Sequence, residues 1–237
     1  MLFRETLWWI IVMIVASSKP FQEIKQMLSG FKKVCVLGCG SCVTICHTGG
    51  EKQVTELAVQ LRLSAKLEGR EVEVIEDSTL RQCEWEFIED IKEVIKDCDA
   101  VLSIACGIGV QYMAERFPKI RIFPGVNTTF MGGPVEQGIF WERCAGCGNC
   151  ILGTTGGLCP VSRCAKSLLN GPCGGSQNGK CEVSQETPCV WHQIYDQLDT
   201  QQLLATMETI VPPKDWTTGM ENHPRKMILE HLVMKKQ

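Results

Sequence analysis

Lys33-Val34-Cys35-Val36-Leu37 is a short apolar, partly β-branched run that stops at Gly38, and the period of the sequence changes after it. From Glu51 to Leu67 apolar side chains recur at Val54, Leu57, Ala58, Leu61 and Ala65, the spacing of one helical face. Strand, turn and helix therefore follow one another. The alternation continues downstream. Val72–Ile75 reads as a second strand, and Trp85–Ile95 as a second helix with Phe87, Ile88, Ile91 and Val94 on one side. Ala100–Ala105 reads as a third strand, Met113–Phe117 as a short helix and Ile120–Phe123 as a further strand. Strands and helices alternating at this spacing imply a parallel sheet with right-handed crossovers, an α/β, Rossmann-like domain at roughly residues 20–135. Gly132-Gly133-Pro134 marks its exit.

Between Cys144 and Cys189 the character changes: eight cysteines and nine glycines crowd a stretch with few large apolar residues and no sustained period. Such a segment buries too little apolar area to offset its chain entropy, so something other than a core must hold it. Residues 136–200 are accordingly read as a small cysteine-rich domain. A short amphipathic helix through Trp191, Ile194, Tyr195 and Leu198 closes that domain, with another near Leu203–Ile210 before Pro212-Pro213. Residues 201–237 form a helical and polar tail, and residues 1–19 an apolar extension.

The 24 lysines and arginines nearly balance 27 aspartates and glutamates, so no strong field favours nucleic acid or an anionic membrane. Fifteen cysteines are the unusual feature. An odd total fits disulfides poorly, and thiols two residues apart suit several bonds to one metal centre better than distant loop-closing bridges. Metal binding places the protein in a reducing, cytoplasmic compartment. The run Leu7–Ala16 after Arg4 resembles the apolar part of a secretory signal, but it is too short to span a bilayer as a helix. The reading preferred here is translation from Met13, with Met1–Val12 an upstream or dispensable extension.

Cys144-x2-Cys147-x2-Cys150 offers three thiolates from one glycine-containing loop, as in bacterial ferredoxins. The ferredoxin pattern then calls for a cysteine followed by proline after three residues; here Cys159-Pro160 comes after eight. The ferredoxin rule for sharing ligands between clusters therefore does not transfer. Cys159, Cys164, Cys173, Cys181 and Cys189 complete a set of eight, the requirement for two [4Fe-4S] cubanes. Four thiolates also make a structural zinc site, so zinc stands as the alternative from spacing alone.

The strings Gly157-Leu-Cys159-Pro, Arg163-Cys164-Ala-Lys166, Leu169-Asn-Gly-Pro-Cys173-Gly-Gly175, Gly179-Lys-Cys181-Glu182 and Pro188-Cys189-Val-Trp191 resemble the iron-sulfur accessory (MetV-type) subunit of methylenetetrahydrofolate reductase. Gly38-Cys-Gly-Ser-Cys42, Cys46, Gly49-Gly-Glu51, Arg81-Gln-Cys83-Glu84 and Ala105-Cys106-Gly107 extend the likeness from about Met13 to Leu198. The resemblance implies an electron-transfer subunit beside a flavin-bearing barrel subunit, with further redox subunits as additional candidates. It places the chain in one-carbon metabolism, notably in acetogens using the Wood-Ljungdahl route. Catalytic residues are expected on the partner, not here. The alternative is a zinc-binding adaptor that docks the reductase without passing electrons.

A second group of thiols follows from the coarse fold. Cys39 and Cys42 come after the first strand, Cys83 lies in the loop after the second, and Cys106 ends the third. In a parallel sheet these points share the carboxyl edge, where such folds bind their ligands. A zinc ion or a third cubane on Cys39, Cys42, Cys83 and Cys106, with Cys46 as substitute, is geometrically reasonable. Cys35, inside a strand, and Cys98, at a helix end, read as core residues. Gly38 and Gly40 begin a dinucleotide fingerprint, but Val43 stands where its third glycine belongs and thiols fill the turn, so no nucleotide is expected there. His47, His192, His223 and His231 have no metal-binding spacing.

Overall fold

A computed structural model of the chain describes residues 14–136 and 139–218. Leu7–Met13 of the apolar extension, His223, His231 and the Lys235-Lys236-Gln237 end lie outside the described residues. Two compact units meet in the sequence between Glu142 and Arg143.

The N-terminal unit is built on a four-stranded parallel sheet, order β3-β2-β4-β5, of β2 (Lys33–Cys39), β3 (Glu73–Thr79), β4 (Ala100–Ser103) and β5 (Arg121–Pro124). The continuous apolar character of β2 has a direct cause: both faces of the sheet are covered. Val34 and Val36 face one core with Ala100 and Leu102, against Val54, Ala58 and Leu61 of α3 (Glu51–Leu67). Cys35 and Leu37 face the other core with Val101, Ile88, Ile91, Ile95 and Met113. At the start of α3 the Gly50 N–H donates to Gln53 Oε1 at 3.2 Å, satisfying a group that the helix itself leaves unpaired.

Several elements differ from the expectation. The helix predicted over Trp85–Ile95 is two short ones, α4 (Trp85–Glu89) and α5 (Lys92–Ile95). Ile88, Ile91 and Ile95 stay in one core across the break, so the apolar spacing survives where the hydrogen-bond ladder does not. The third predicted helix starts earlier, as α6 (Gly107–Arg116). A second sheet, order β1-β6-β7, joins β1 (Val15–Ser18), β6 (Val126–Glu136) and β7 (Ile139–Cys144). β1, read above as part of the extension, pairs antiparallel with β6, Ser18 opposite Val126. Gly132-Gly133-Pro134 lies inside β6. A Cβ at Gly132 would collide with the backbone of Trp141, so glycine here permits a close strand approach, not a turn.

The C-terminal unit has little regular structure beyond α7 (Pro160–Arg163) and α8 (Val190–Thr200). α8 carries its own small core, with Val190, Trp191, Ile194 and Leu198 buried and Leu158, Cys164, Leu204 and Met207 packed against them. The helix expected near Leu203–Ile210 is a 3-10 turn at Leu204–Glu208. No helix among the described residues is long and apolar enough to cross a membrane.

Burial, reinforced by Cys98 and Asp77, pushes the Cys35 thiol up to about 12. In the reduced native protein Cys35 should therefore resist iodoacetamide and react only on denaturation, as read by mass spectrometry. Leu102 is fully buried, and Leu102→Ala should cost about 2–5 kcal/mol in denaturant unfolding.

Candidate functional site

In the N-terminal unit the parallel strands bring three thiol-bearing segments to one edge. β2 and β4 are neighbours although β3 lies between them in sequence, which makes their carboxyl ends the topological switch point where open α/β sheets form a crevice. Cys39 is the last residue of β2, Cys106 caps α6 after β4, and Cys83 lies in the loop after β3. Burial is the first cause that pushes the Cys83 thiol up, and Cys39 and then Cys106 are the next two. Cys83 therefore lies within electrostatic reach of both Cys39 and Cys106. The Arg81 guanidinium is held above its usual range chiefly by its hydrogen bond to Glu84, with smaller effects of Cys83 and of Cys42, the first residue of α2 (Cys42–Ile45). Cys46 is engaged in its own turn, its thiol 3.6 Å from the Val43 carbonyl and 3.2 Å from Thr48 Oγ1.

In the C-terminal unit Cys164, Cys173, Cys181 and Cys189 line one small pocket, walled by Trp191. Cys164 ends α7 and Cys189 caps α8, so two helix ends and two loops supply the four thiols. At the rim the Cys173 thiol donates to the Glu182 carboxylate at 3.1 Å, and Lys166 pairs with the same carboxylate at 2.9 Å. Lys166 first, and Cys173 second, hold the Glu182 carboxyl below the usual range. The other four cysteines are placed differently. Cys144 ends β7, and Cys147 and Cys150 follow in a loop in which Gly146 (φ +62°) and Gly148 (φ +77°) adopt left-handed backbone. The Gly146 N–H donates to Cys144 Sγ at 3.3 Å. Cys159 caps α7.

Among the described residues no three Cys, His, Asp or Glu side chains converge closely enough to chelate a single ion. A wider open groove, lined in part by Gly50, Glu51, Ser78 and Leu80, has no cysteine in its walls. Spacing did not point to Glu182, Lys166 or the fully buried Gln82, because none is a metal ligand type at ligand spacing.

Residues 123–217 match the family model described as methylene-tetrahydrofolate reductase C terminal. The matched stretch begins in β5 and takes in all eight cysteines of the C-terminal unit. It runs past Leu198, where the resemblance noted above ends, and leaves the Cys39, Cys83 and Cys106 edge outside. Neither a curated protein nor a solved structure matches the chain.

Trp191 is buried and its indole N–H donates to the Leu168 carbonyl at 3.2 Å, so one side chain serves both the pocket wall and the core. Trp191→Ala should destabilise the protein by about 3–5 kcal/mol. Hydrogen exchange should quicken over Val190–Thr200; unchanged exchange there would show that the indole does not hold α8.

Proposed function

We propose that the chain is the iron-sulfur electron-transfer subunit of a methylenetetrahydrofolate reductase complex, working in the cytoplasm. The observation that carries this is the gathering of Cys164, Cys173, Cys181 and Cys189 around one pocket, inside the stretch related to the reductase family. Cys144, Cys147, Cys150 and Cys159 are the remaining donors, so the eight divide into two consecutive sets of four. When bound, a [4Fe-4S] cluster supplies one-electron storage. The chain's own residues hold the thiolates, exclude water with Trp191, and set the local charge with Lys166 and Glu182.

The partner in this reading is a flavin-bearing catalytic subunit. A barrel alone takes about 250 residues, and the described residues form a four-stranded sheet, not eight strand-helix repeats. Tyr195 is 51% exposed and can serve as an aromatic anchor for the partner, whereas Trp191 is committed to the interior. The edge formed by Cys39, Cys83 and Cys106, with Cys42 beside it, is proposed to hold a zinc ion or a third cubane.

Anaerobically purified protein should contain about eight irons per chain if two cubanes are present and about twelve if the N-terminal edge holds a third. Full zinc with negligible iron and labile sulfide would favour a docking adaptor that passes no electrons. Cys173→Ser should abolish one paramagnetic signal and leave the other, and Cys147→Ser should do the converse. Co-expression with the flavin subunit should give a complex that survives size exclusion and reduces its flavin through the clusters.

A further inference from the structure

Asn170 is exposed, yet both ends of its side-chain amide are taken up by one residue 41 positions further on. Its amide nitrogen donates to the Val211 carbonyl at 2.9 Å, and its amide oxygen accepts the Val211 N–H at 2.7 Å. The two bonds form a fork, because the C=O and NH2 of a carboxamide lie side by side and match one residue's main-chain pair. That match needs Val211 extended, with its N–H and C=O on the same side. The sequence supplies this form: Pro212 follows, and a residue before proline is driven out of the helical region. Pro212 and Pro213 themselves have no N–H to pair elsewhere.

Residues 209–216 have little burial of their own: Ile210 is 82% exposed, and both prolines are exposed. The segment starts from the small core, where Leu204 and Met207 of the 3-10 turn pack beside α8. Beyond the prolines the Lys214 ammonium donates to the Asn149 carbonyl and lies over the Trp216 ring, 5.9 Å from its centroid. Asn149 stands between Cys147 and Cys150, and its N–H closes a turn on the Cys147 carbonyl at 3.0 Å. Asn170 stands three residues before Cys173. The two asparagines are 21 residues apart in sequence, but their partners Val211 and Lys214 are three apart, about 10 Å of extended chain. Beneath the segment is a cavity lined in part by Leu169, Trp191, Met207 and Val211, and Trp191 also walls the four-cysteine pocket.

We propose that residues 209–216 are a strap, clamped by Asn170, that couples the two cysteine-bearing loops of the C-terminal unit. Seated, it holds the loop of Cys147 and Cys150 and the loop before Cys173 to one short length of chain, and it covers the cavity beside Trp191. Without the fork, residues 210–213 keep no hydrogen bond, and the lysine contact must hold the far end by itself. Both loops then loosen together, although Asn170 touches neither Cys147 nor Cys150. The freedom of both thiol loops is thus set by a segment that carries no thiol. This goes beyond the reading under Proposed function and does not depend on what the thiols hold.

The test is hydrogen exchange read by mass spectrometry on the full-length chain, with Asn170→Ala and Lys214→Met beside the parent. Asn170→Ala should quicken exchange at Val211 about five- to tenfold, the scale of one or two net hydrogen bonds. It should also quicken residues 147–151, by about threefold, because the far contact is weakened and not removed. Coupling is reciprocal, so Lys214→Met, which cuts only the far contact, should quicken Val211 by a similar threefold or so. Val190–Thr200 should keep the parent rate in both variants, since the core on α8 is untouched. Parent-like exchange over residues 147–151 in Asn170→Ala, with Val211 quickened, overturns the coupling. Parent-like exchange at Val211, or equal acceleration of Val190–Thr200, overturns the clamp.

Discussion

The parallel pairing of β2 with β3 on one side and β4 on the other is the constraint on which the N-terminal unit depends. Lys33 to Cys39 of β2 pair in continuous register with Glu73 to Thr79, and Val34 to Leu37 with Ala100 to Ser103. Parallel register makes all three strands end together, so whatever follows each of them shares one edge. Cys39, Cys83 and Cys106 span 67 residues of sequence, and this register brings the segments that carry them to one edge. Burial on both faces of β2 leaves no freedom to slip the register, since a shift by one residue would exchange the two cores.

The C-terminal unit solves a different problem with different means. Its loops are too glycine-rich and too poor in apolar residues to pack by themselves, and the small core on α8 covers only part of them. Four thiols instead gather around one pocket beside that core, walled by Trp191. The ion pair of Lys166 and Glu182 at the rim, with the thiol of Cys173 on the same carboxylate, places both signs of charge beside the site. Each is partly exposed, so solvent screens the pair and its own contribution to stability is small.

Much of the fold was legible from local sequence. The period change from β2 to α3 was plain because a strand buried on both faces and a helix buried on one leave distinct apolar patterns. The cysteine segment was equally plain, since spacing of thiols is a local property. β1 and β6 escaped detection for a physical reason: their pairing joins residues more than a hundred positions apart, and Gly132-Gly133-Pro134 carries the residue types of a turn while serving a close strand contact. The break between α4 and α5 was hidden as well, because Ile88, Ile91 and Ile95 keep helical spacing through it.

What the amino-acid sequence by itself determined is the chemistry available: fifteen thiols, their local spacing, and the alternation of strand and helix that puts three of their segments at one edge. Tertiary structure alone decided which thiols meet. It set Cys164, Cys173, Cys181 and Cys189 around one pocket, turned Cys46 into its own loop, and made Gln82 the tie between three strand ends. Spacing cannot report these facts, because they depend on hydrogen bonds and burial between residues whose separation in the chain bears no relation to their separation in space.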